Sequence, residues 1–127
     1  MTLGDCPCGS LLEYEECCGP LHRGAVAPTA LALMRSRFSA FALGLEGYLL
    51  DSWDPSTRPG TVDLDGDVEW RRLQIVDTAL GGESDDTGVV EYRASFRRAG
   101  RSELLHERSR FVRVHGRWRY VDGDVRP

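Results

Sequence analysis

The order of hydrophobic and polar residues changes character near the middle of the chain. The segment ALALMRSRFSAFALG follows Thr29, a residue suited to cap a helix, and it predicts an amphipathic helix. At helical spacing its apolar side would carry Leu31, Met34, Phe38, Phe41 and Leu45. The shorter stretch EGYLLDSW predicts a second helix, and DPSTRPGTVDLDGD predicts a loop because it is rich in Pro, Gly and Asp.

Beyond Val68 the pattern takes the period of two that is typical of strands. VVEYRASFRR alternates apolar and polar residues, with Val90, Tyr92, Ala94 and Phe96 on one face. The segments WRRLQIVDTAL, LLHERSRFVRV and RWRYVDGDV predict three more strands, joined by short polar turns as in an antiparallel meander. Helices first and strands afterwards indicate an α+β fold, with N-terminal helices packed on an antiparallel sheet of about four strands.

Length and charge limit the classes of function. A chain of 127 residues is expected to form one globular domain with at most a small appendage. A formal net charge of −4 argues against nucleic-acid binding, and no DNA partner is expected. Neither a membrane span nor a signal peptide is predicted, because the chain has no run of about 18 apolar residues and MTLGDCPC lacks an apolar core. The expected location is therefore the cytoplasm, where clustered cysteines are more often metal ligands than disulfides.

All four cysteines lie near the N-terminus, in CPCGSLLEYEECCGP. Cys6 and Cys8 flank a single proline, while Cys17 and Cys18 are adjacent, so neither pair can close on itself without strain. Only crossed pairings would give relaxed disulfides, whereas four thiolates can bind one Zn²⁺ tetrahedrally. We predict a structural tetrathiolate zinc site with no open position for water, and hence no catalysis by the metal. Free structural cysteines or a redox-labile cluster are the alternatives.

The segment between the two cysteine pairs is long enough to bring the second pair back to the metal. We expect a turn at Gly9 and Ser10, then about one helical turn, which Gly19 and Pro20 should end. His22 lies close enough in sequence to be a substitute ligand, although four cysteines already fill the site.

The cysteine segment resembles the SEC-C motif, named for the C-terminus of the preprotein translocase motor SecA. The resemblance is carried by CPCGS, eight further residues and CCG, with Leu11 where the motif usually has glycine. TALALMRSRFSAF, SWDPSTRP and LHERSRFVRVHGRWRYVDG extend the resemblance to the YchJ-like family, with Asp54 where members usually show histidine. It implies a zinc knuckle at residues 1–24 and, at residues 25–127, the cone fold of nuclear transport factor two with its curved sheet. It implies no activity.

The phases of the last two strands predict a polar patch on the concave side of the cone. If Phe111 and Trp118 face the helices, strict alternation brings carboxylates and hydroxyls to the same side, while His106, Arg108 and Arg110 point outward. SWDPSTRP could form a lip over the pocket mouth, with an arginine placed to meet an anion, or it could instead be a helix stop that buries Trp53. The candidate pocket residues are Trp53, Arg58, Glu107, Ser109, Trp118, Tyr120 and Asp122.

Two interpretations of that patch remain open. Glu107 or Asp122 could transfer protons to a small-molecule substrate held by Arg58, or could instead pair with a buried arginine and only fix the shape of the cone. The leading hypothesis for the whole chain is a non-enzymatic binding or adaptor protein that uses its zinc knuckle to contact a protein partner, since the resemblance is to the docking tail of SecA. The alternative is an isomerase, dehydratase or hydrolase acting in the cone. Either would be a monomer or a weak homodimer.

Overall fold

A computed structural model of the chain describes residues 5–64 and 66–126. In this part of the chain a 3-10 turn and three helices come first. The four strands follow and form one antiparallel sheet in the order β1-β2-β3-β4. The predicted α+β arrangement, helices followed by a four-stranded antiparallel meander, is confirmed. The elements are a 3-10 turn at Tyr14–Glu16, α1 (Cys18–His22), α2 (Ala30–Leu43), α3 (Glu46–Asp51), β1 (Val68–Leu80), β2 (Thr87–Arg98), β3 (Arg101–Val114) and β4 (Arg117–Val125).

Helix α2 is the central layer of the molecule. It begins as predicted at Thr29, whose hydroxyl accepts a hydrogen bond from the Ala32 amide at 3.0 Å. Met34 and Phe38 are buried on the side that packs against the sheet. Ser36 and Ser39 are buried as well, because the cysteine knuckle contacts both from the other side and Tyr48 of α3 contacts the Ser36 hydroxyl. The knuckle and the sheet thus pack on different faces of one helix. No helix among the described residues is long and apolar enough to cross a membrane.

The sheet bends at three irregularities in its pairing. Two lie in β1, between Trp70 and Arg72 and between Ile75 and Asp77. The third lies in β4, where Phe111 pairs with Tyr120 while the preceding residue of β3 pairs with Asp122. Each extra residue increases the local bend and twist of its strand, which curves the sheet around α2.

The outer face of the sheet carries ion pairs. His106, Arg108 and Arg110 point outward as predicted, and each contacts an acidic side chain. His106 lies 2.7 Å and Arg108 2.9 Å from Glu91, and Arg110 lies 2.6 Å from Asp122. The basic residues are therefore interleaved with acids rather than forming a purely basic stripe.

The loop after α3 is tied to the last strand. Residues 54–64 and 66–67 belong to neither a helix nor a strand, as predicted. At its start, the Asp54 amide donates to the Tyr120 carbonyl at 2.8 Å, and the Tyr120 amide donates to the Ser52 carbonyl at 2.8 Å. Trp53 forms an isolated parallel bridge with Tyr120 between these two bonds. This pairing fixes Trp53 beside the concave side of the sheet.

One prediction about the knuckle is wrong. Gly19 and Pro20 do not end a helical turn but lie in the first turn of α1, where proline is tolerated because the amide it lacks would have no intrahelical partner. A Cβ on Gly19 would lie 2.8 Å from the Tyr14 carbonyl oxygen. Glycine is therefore required there to let α1 pack closely on the preceding 3-10 turn.

Candidate functional site

The four cysteines converge against the face of α2 that carries Arg35 and Ser39. Their sulfur atoms all lie within 4.8 Å of one another, with 3.6 Å between Cys8 and Cys17 and 3.9 Å between Cys17 and Cys18. Thiolates bound tetrahedrally at about 2.3 Å from Zn²⁺ would be about 3.8 Å apart, whereas a disulfide needs about 2.05 Å. The four cysteines therefore lie close enough together to bind a metal ion.

Short-range backbone geometry brings the first cysteine pair into place. The Gly9 amide donates to the Cys6 carbonyl at 3.1 Å, and the Cys6 amide donates to the Leu12 carbonyl at 2.9 Å. Leu11 adopts a φ of +70°, in the left-handed region that favours glycine. This explains physically why a glycine would suit the position, and it shows that leucine still permits the turn.

Hydroxyl groups surround the sulfur atoms. Ser10 donates to the Cys17 sulfur at 3.2 Å, and Ser39 of α2 donates to the Cys18 sulfur at 3.3 Å. Arg35, also on α2, donates to the Cys8 carbonyl at 3.2 Å. Such outer contacts orient the sulfurs and stabilise their ionised form, and they join the cluster to the helix.

Without a cation, the four thiols cannot all be ionised together. A hydrogen bond from Cys18 lowers the pKa of Cys8 well below that of a free thiol. The same contact, together with burial, raises the pKa of Cys18, and burial raises the pKa of Cys17. A divalent cation would supply the positive charge that allows four thiolates to coexist, so the donor set fits such an ion.

His22 has no free ring nitrogen for a metal. Its Nδ1 is hydrogen-bonded to the Tyr14 hydroxyl, and its Nε2 lies 2.7 Å from the Ser36 carbonyl, to which it donates. The tautomer is fixed by these partners, and burial lowers the pKa of the imidazole. His22 therefore bridges the knuckle and α2, and the idea that it could replace a cysteine ligand is not supported.

A cavity of about 250 Å³ lies between α2 and the concave face of the sheet. Most of its wall is aromatic or aliphatic, and four of the predicted pocket residues line it: Trp53, Glu107, Ser109 and Tyr120. The rest of the wall comes from α2, β1, β2 and β3, namely Met34, Arg37, Phe38, Phe41, Trp70, Tyr92, Ala94 and Leu105.

Glu107 is held in this wall by one of its two oxygens. Ser109 and Tyr120 donate hydrogen bonds to its Oε2 at 2.6 Å and 3.0 Å. Its Oε1 accepts no hydrogen bond from any described residue. Gly123 of β4 makes room for the carboxylate, because a Cβ there would lie 2.9 Å from Cγ and 2.7 Å from Cδ of Glu107. Gly123 was not predicted, since a glycine in a strand is not informative until its neighbour across the sheet is known.

Arg37 of α2 is the cationic residue of the cavity, and the sequence patterns did not single it out. It is 3% exposed, and its Nη1 donates to the Leu49 carbonyl at 2.9 Å and to the Ser52 hydroxyl at 2.6 Å. Its guanidinium lies 5.0 Å from the ring centre of Trp53 and 4.6 Å from that of Tyr120. Burial lowers its pKa to about 10, so it is cationic at neutral pH. The sequence feature that could have identified Arg37 is an arginine among the positions of α2 that helical spacing predicts to be apolar and buried.

Three of the predicted pocket residues do not line this cavity. Asp122 lies on the outer face, 2.6 Å from Arg110, because Val121 is the extra residue of the β4 bulge and reverses the alternation. Trp118 is buried on the helix side but lines a separate depression beside α1 and α3. Arg58 is exposed and donates twice to the Trp53 carbonyl, at 3.1 Å and 2.9 Å.

Comparison with known proteins gives two family matches. Residues 29–123 match the family described as YchJ, middle NTF2-like domain, and residues 5–20 match the SEC-C motif. The chain is 53% identical over 125 residues to a UPF0225 protein of Streptomyces coelicolor, and the match covers 98% of each chain. It is 49% identical over 126 residues to a UPF0225 protein of Bordetella pertussis, covering 95% of this chain and 92% of that one.

Two solved structures share the fold. The solution structure of a SEC-C motif containing protein from Rhodopseudomonas palustris has a TM-score of 0.83 and 35% identity, covering 97% of this chain and 99% of that one. The crystal structure of a SEC-C motif containing protein from Psychrobacter arcticus has a TM-score of 0.79 and 26% identity, covering 99% of this chain and 85% of that one. The chain therefore belongs to the YchJ-like UPF0225 family, in which a SEC-C motif precedes an NTF2-like domain.

Proposed function

We propose that the chain is a non-enzymatic binding protein in which one structural Zn²⁺ holds a knuckle that contacts a protein partner. The observation that carries this proposal is a four-sulfur donor set beneath a surface that leaves two leucines in solvent. Cys6, Cys8 and Cys18 are buried, while Leu11 is 88% and Leu12 49% exposed. A closed donor set suits a structural role, and exposed apolar residues on a rigid turn suit contact with another molecule.

Zinc is the proposed metal because four thiolates at these sulfur separations match its tetrahedral geometry. Reduced thiols of this kind persist in the cytoplasm, which is the compartment we propose for the protein. Native mass spectrometry of protein purified without added metal should show one zinc per chain, absent from Cys6→Ser/Cys17→Ser. A metal-free parent whose mass is four hydrogens below the reduced value would indicate two disulfides and contradict this assignment.

The chemistry of the knuckle surface indicates the kind of partner. Asp5, Glu13 and Glu16 lie close to the two leucines in sequence, and residues 5–16 contain no lysine or arginine, while Glu15 pairs with Arg23 at 2.9 Å. Four thiolates with one divalent ion add a further charge of about −2. We therefore propose a partner segment that is basic and carries apolar residues, because complementary charge favours encounter while apolar contacts supply most of the affinity.

Affinity capture with the intact, zinc-loaded chain tests this proposal. Leu11→Asn/Leu12→Ser should recover the partner at least about 10-fold less well than the parent, as expected for the loss of two central apolar contacts. Asn is chosen at position 11 because it tolerates the left-handed conformation. Leu104→Ser is the matched control, since Leu104 is 60% exposed but lies on β3, outside the knuckle. Equal recovery by all three chains would contradict the adaptor proposal.

A second candidate function is an enzyme that acts on a small molecule in the cone cavity. It is favoured by the way in which Glu107 is held: two hydroxyls fix one carboxylate oxygen, while the other has no partner among the described residues. A carboxylate so placed could act as a general base toward a bound substrate. Glu107→Gln should then abolish an activity and preserve the fold, whereas unfolding of this variant would mark Glu107 as structural.

A further inference from the structure

The cone cavity contains a buried cation and a carboxylate that do not form an ion pair. No carboxylate of the described residues lies within 4.0 Å of the Arg37 guanidinium, and Glu107 is hydrogen-bonded to hydroxyls instead. Tyr120 connects the two groups, because its ring lies 4.6 Å from the guanidinium and its hydroxyl lies 3.0 Å from Glu107. The negative charge of Glu107 still helps to keep Arg37 charged. The two charges therefore offset each other within one cavity without direct contact.

Both charged groups keep hydrogen-bonding capacity that the described part of the chain leaves unused. Arg37 donates only through Nη1 to its described partners, so its Nε and Nη2 hydrogens are available. Glu107 accepts only at Oε2, so Oε1 is available. The Trp53 indole Nε1 is buried and has no described partner, as is also true of the Trp118 indole Nε1 outside this cavity. Donors and acceptors that face a cavity without a protein partner can bind a ligand or water.

The charge balance of the cavity favours a neutral occupant. An anion would satisfy Arg37 but would add a second negative charge beside Glu107, and a cation would do the reverse beside Arg37. Burying an uncompensated charge is strongly unfavourable, whereas a neutral group with one acceptor and one donor satisfies both residues. A carboxamide meets this requirement because its carbonyl can accept from Arg37 while its N–H donates to Glu107.

The remainder of the wall favours a flat apolar body. Trp70 contacts Phe38 and Phe41, with ring centres 5.9 Å and 5.8 Å apart, and the three rings form one side of the cavity. Aromatic walls pack well against planar rings. A volume of about 250 Å³ lies below the usual range of drug-sized pockets, which limits the occupant to a small molecule.

We infer that the cone cavity is a binding site for a small, neutral, planar molecule that carries a carboxamide-like pair of hydrogen-bond acceptor and donor. This inference does not rest on the adaptor function of the knuckle, and it holds whether or not Glu107 has a catalytic role.

Three probes of nearly identical shape test it on the intact, zinc-loaded chain. Benzamide is neutral and offers both an acceptor and a donor, benzoate is an anion, and benzamidinium is a cation. NMR titration follows the indole N–H signals of Trp53 and Trp70, which line the cavity, with Trp118 outside it as an internal control. We expect benzamide to move the first two signals and not the third, and to bind at least about 10-fold more tightly than either charged probe.

Glu107→Gln sharpens the test by removing the negative charge from the cavity. Because Arg37 is then uncompensated, benzoate should bind this variant at least about 10-fold more tightly than it binds the parent. Glu91→Gln is the matched control, since Glu91 faces outward and contacts His106 and Arg108. Glu91→Gln should leave the order of affinity for the three probes the same as in the parent.

Several results would overturn the inference. If benzoate or benzamidinium binds the parent as tightly as benzamide does, the cavity does not prefer a neutral molecule and the inference is wrong. The inference is also wrong if Glu107→Gln folds and binds benzoate no more tightly than the parent does. If that variant does not fold, the comparison of probes on the parent still decides. Failure of all three probes to move Trp53 and Trp70 at about 10 mM, a concentration at which fragments of this size should bind a formed pocket, would mean that the cavity holds only water.

Discussion

The cysteine cluster and the cone cavity lie on different sides of α2, and they differ in how their groups are assembled. All four cysteine sulfurs come from one short segment, residues 6–18, and each is oriented by nearby backbone turns or hydroxyls. The cavity instead combines side chains from α2, from the segment after α3 and from all four strands. The first site is local in sequence, whereas the second exists only after the sheet has curved around the helix.

The two sites also differ in how completely their polar groups are paired. The four sulfurs form a set that one divalent ion would complete, which is the property of a structural centre. Arg37 and Glu107 each retain unused hydrogen-bonding atoms among the described residues. A site with complete pairing stabilises the fold, while a site with spare donors and acceptors can exchange a ligand. Substitutions in the knuckle and at the cavity test whether this distinction holds.

The largest effect is expected from loss of a metal ligand. Cys8 is fully buried, so Cys8→Ser should remove the metal and lower the free energy of unfolding by more than about 3 kcal/mol, since structural zinc contributes strongly to folding. Metal analysis and denaturant unfolding measure this. Ser10→Ala is the control, because it removes hydrogen bonds to the Cys17 sulfur and from the Leu12 amide but no cysteine, and should cost about 1–2 kcal/mol. Similar losses in both variants would contradict a metal-held knuckle.

An intermediate effect is expected at the cavity. Gly123→Ala would place a Cβ against the Glu107 side chain, and we expect it to destabilise the fold by about 1–3 kcal/mol through this overlap. Gly47→Ala is the control, because a Cβ at that position of α3 would have no neighbouring atom within 4 Å. If both variants unfold at the same denaturant concentration, Glu107 is not held against β4.

The smallest expected effect is a stabilisation, and it comes from relieving backbone strain in the knuckle. Leu11 has a φ of +70°, so Leu11→Gly should stabilise the knuckle by about 0.5–1 kcal/mol and slow the release of metal to a chelator. Leu12→Gly, one residue later and outside the left-handed region, should instead speed release. Faster release from Leu11→Gly than from the parent would show that the turn is not strained.

Local patterns predicted the elements and the convergence of the four cysteines well for a physical reason. Helical and strand periods depend on neighbouring residues, and the cysteine spacing limits geometry over a short loop. The placement of Asp122 failed because alternation holds only while a strand is regular, and the extra residue at Val121 reverses the side on which every later side chain lies. Nothing in the sequence RYVDGDV indicates that Val121 is an extra residue in the strand.

Arg37 was missed for a different reason. Its position on α2 is apolar by helical spacing, and a buried arginine is acceptable only when distant groups, here Leu49, Ser52 and the ring of Tyr120, surround it. Those partners lie on α3, just after it and on β4. Sequence reasoning did anticipate that a helix arginine could meet the concave carboxylates, but not that Tyr120 would stand between Arg37 and Glu107.

The position of α2 between the knuckle and the sheet bears on how the protein behaves when metal is scarce. The side of the helix that the knuckle covers contains Ser36 and Ser39, which are small hydroxyl residues rather than large apolar ones. If the knuckle opens, water reaches these two serines, but Tyr14 and Leu21 of the knuckle also leave the apolar cluster that they share with Leu33 of α2. The metal-depleted chain should accordingly expose apolar area and associate with other copies of itself more readily than the metal-loaded chain.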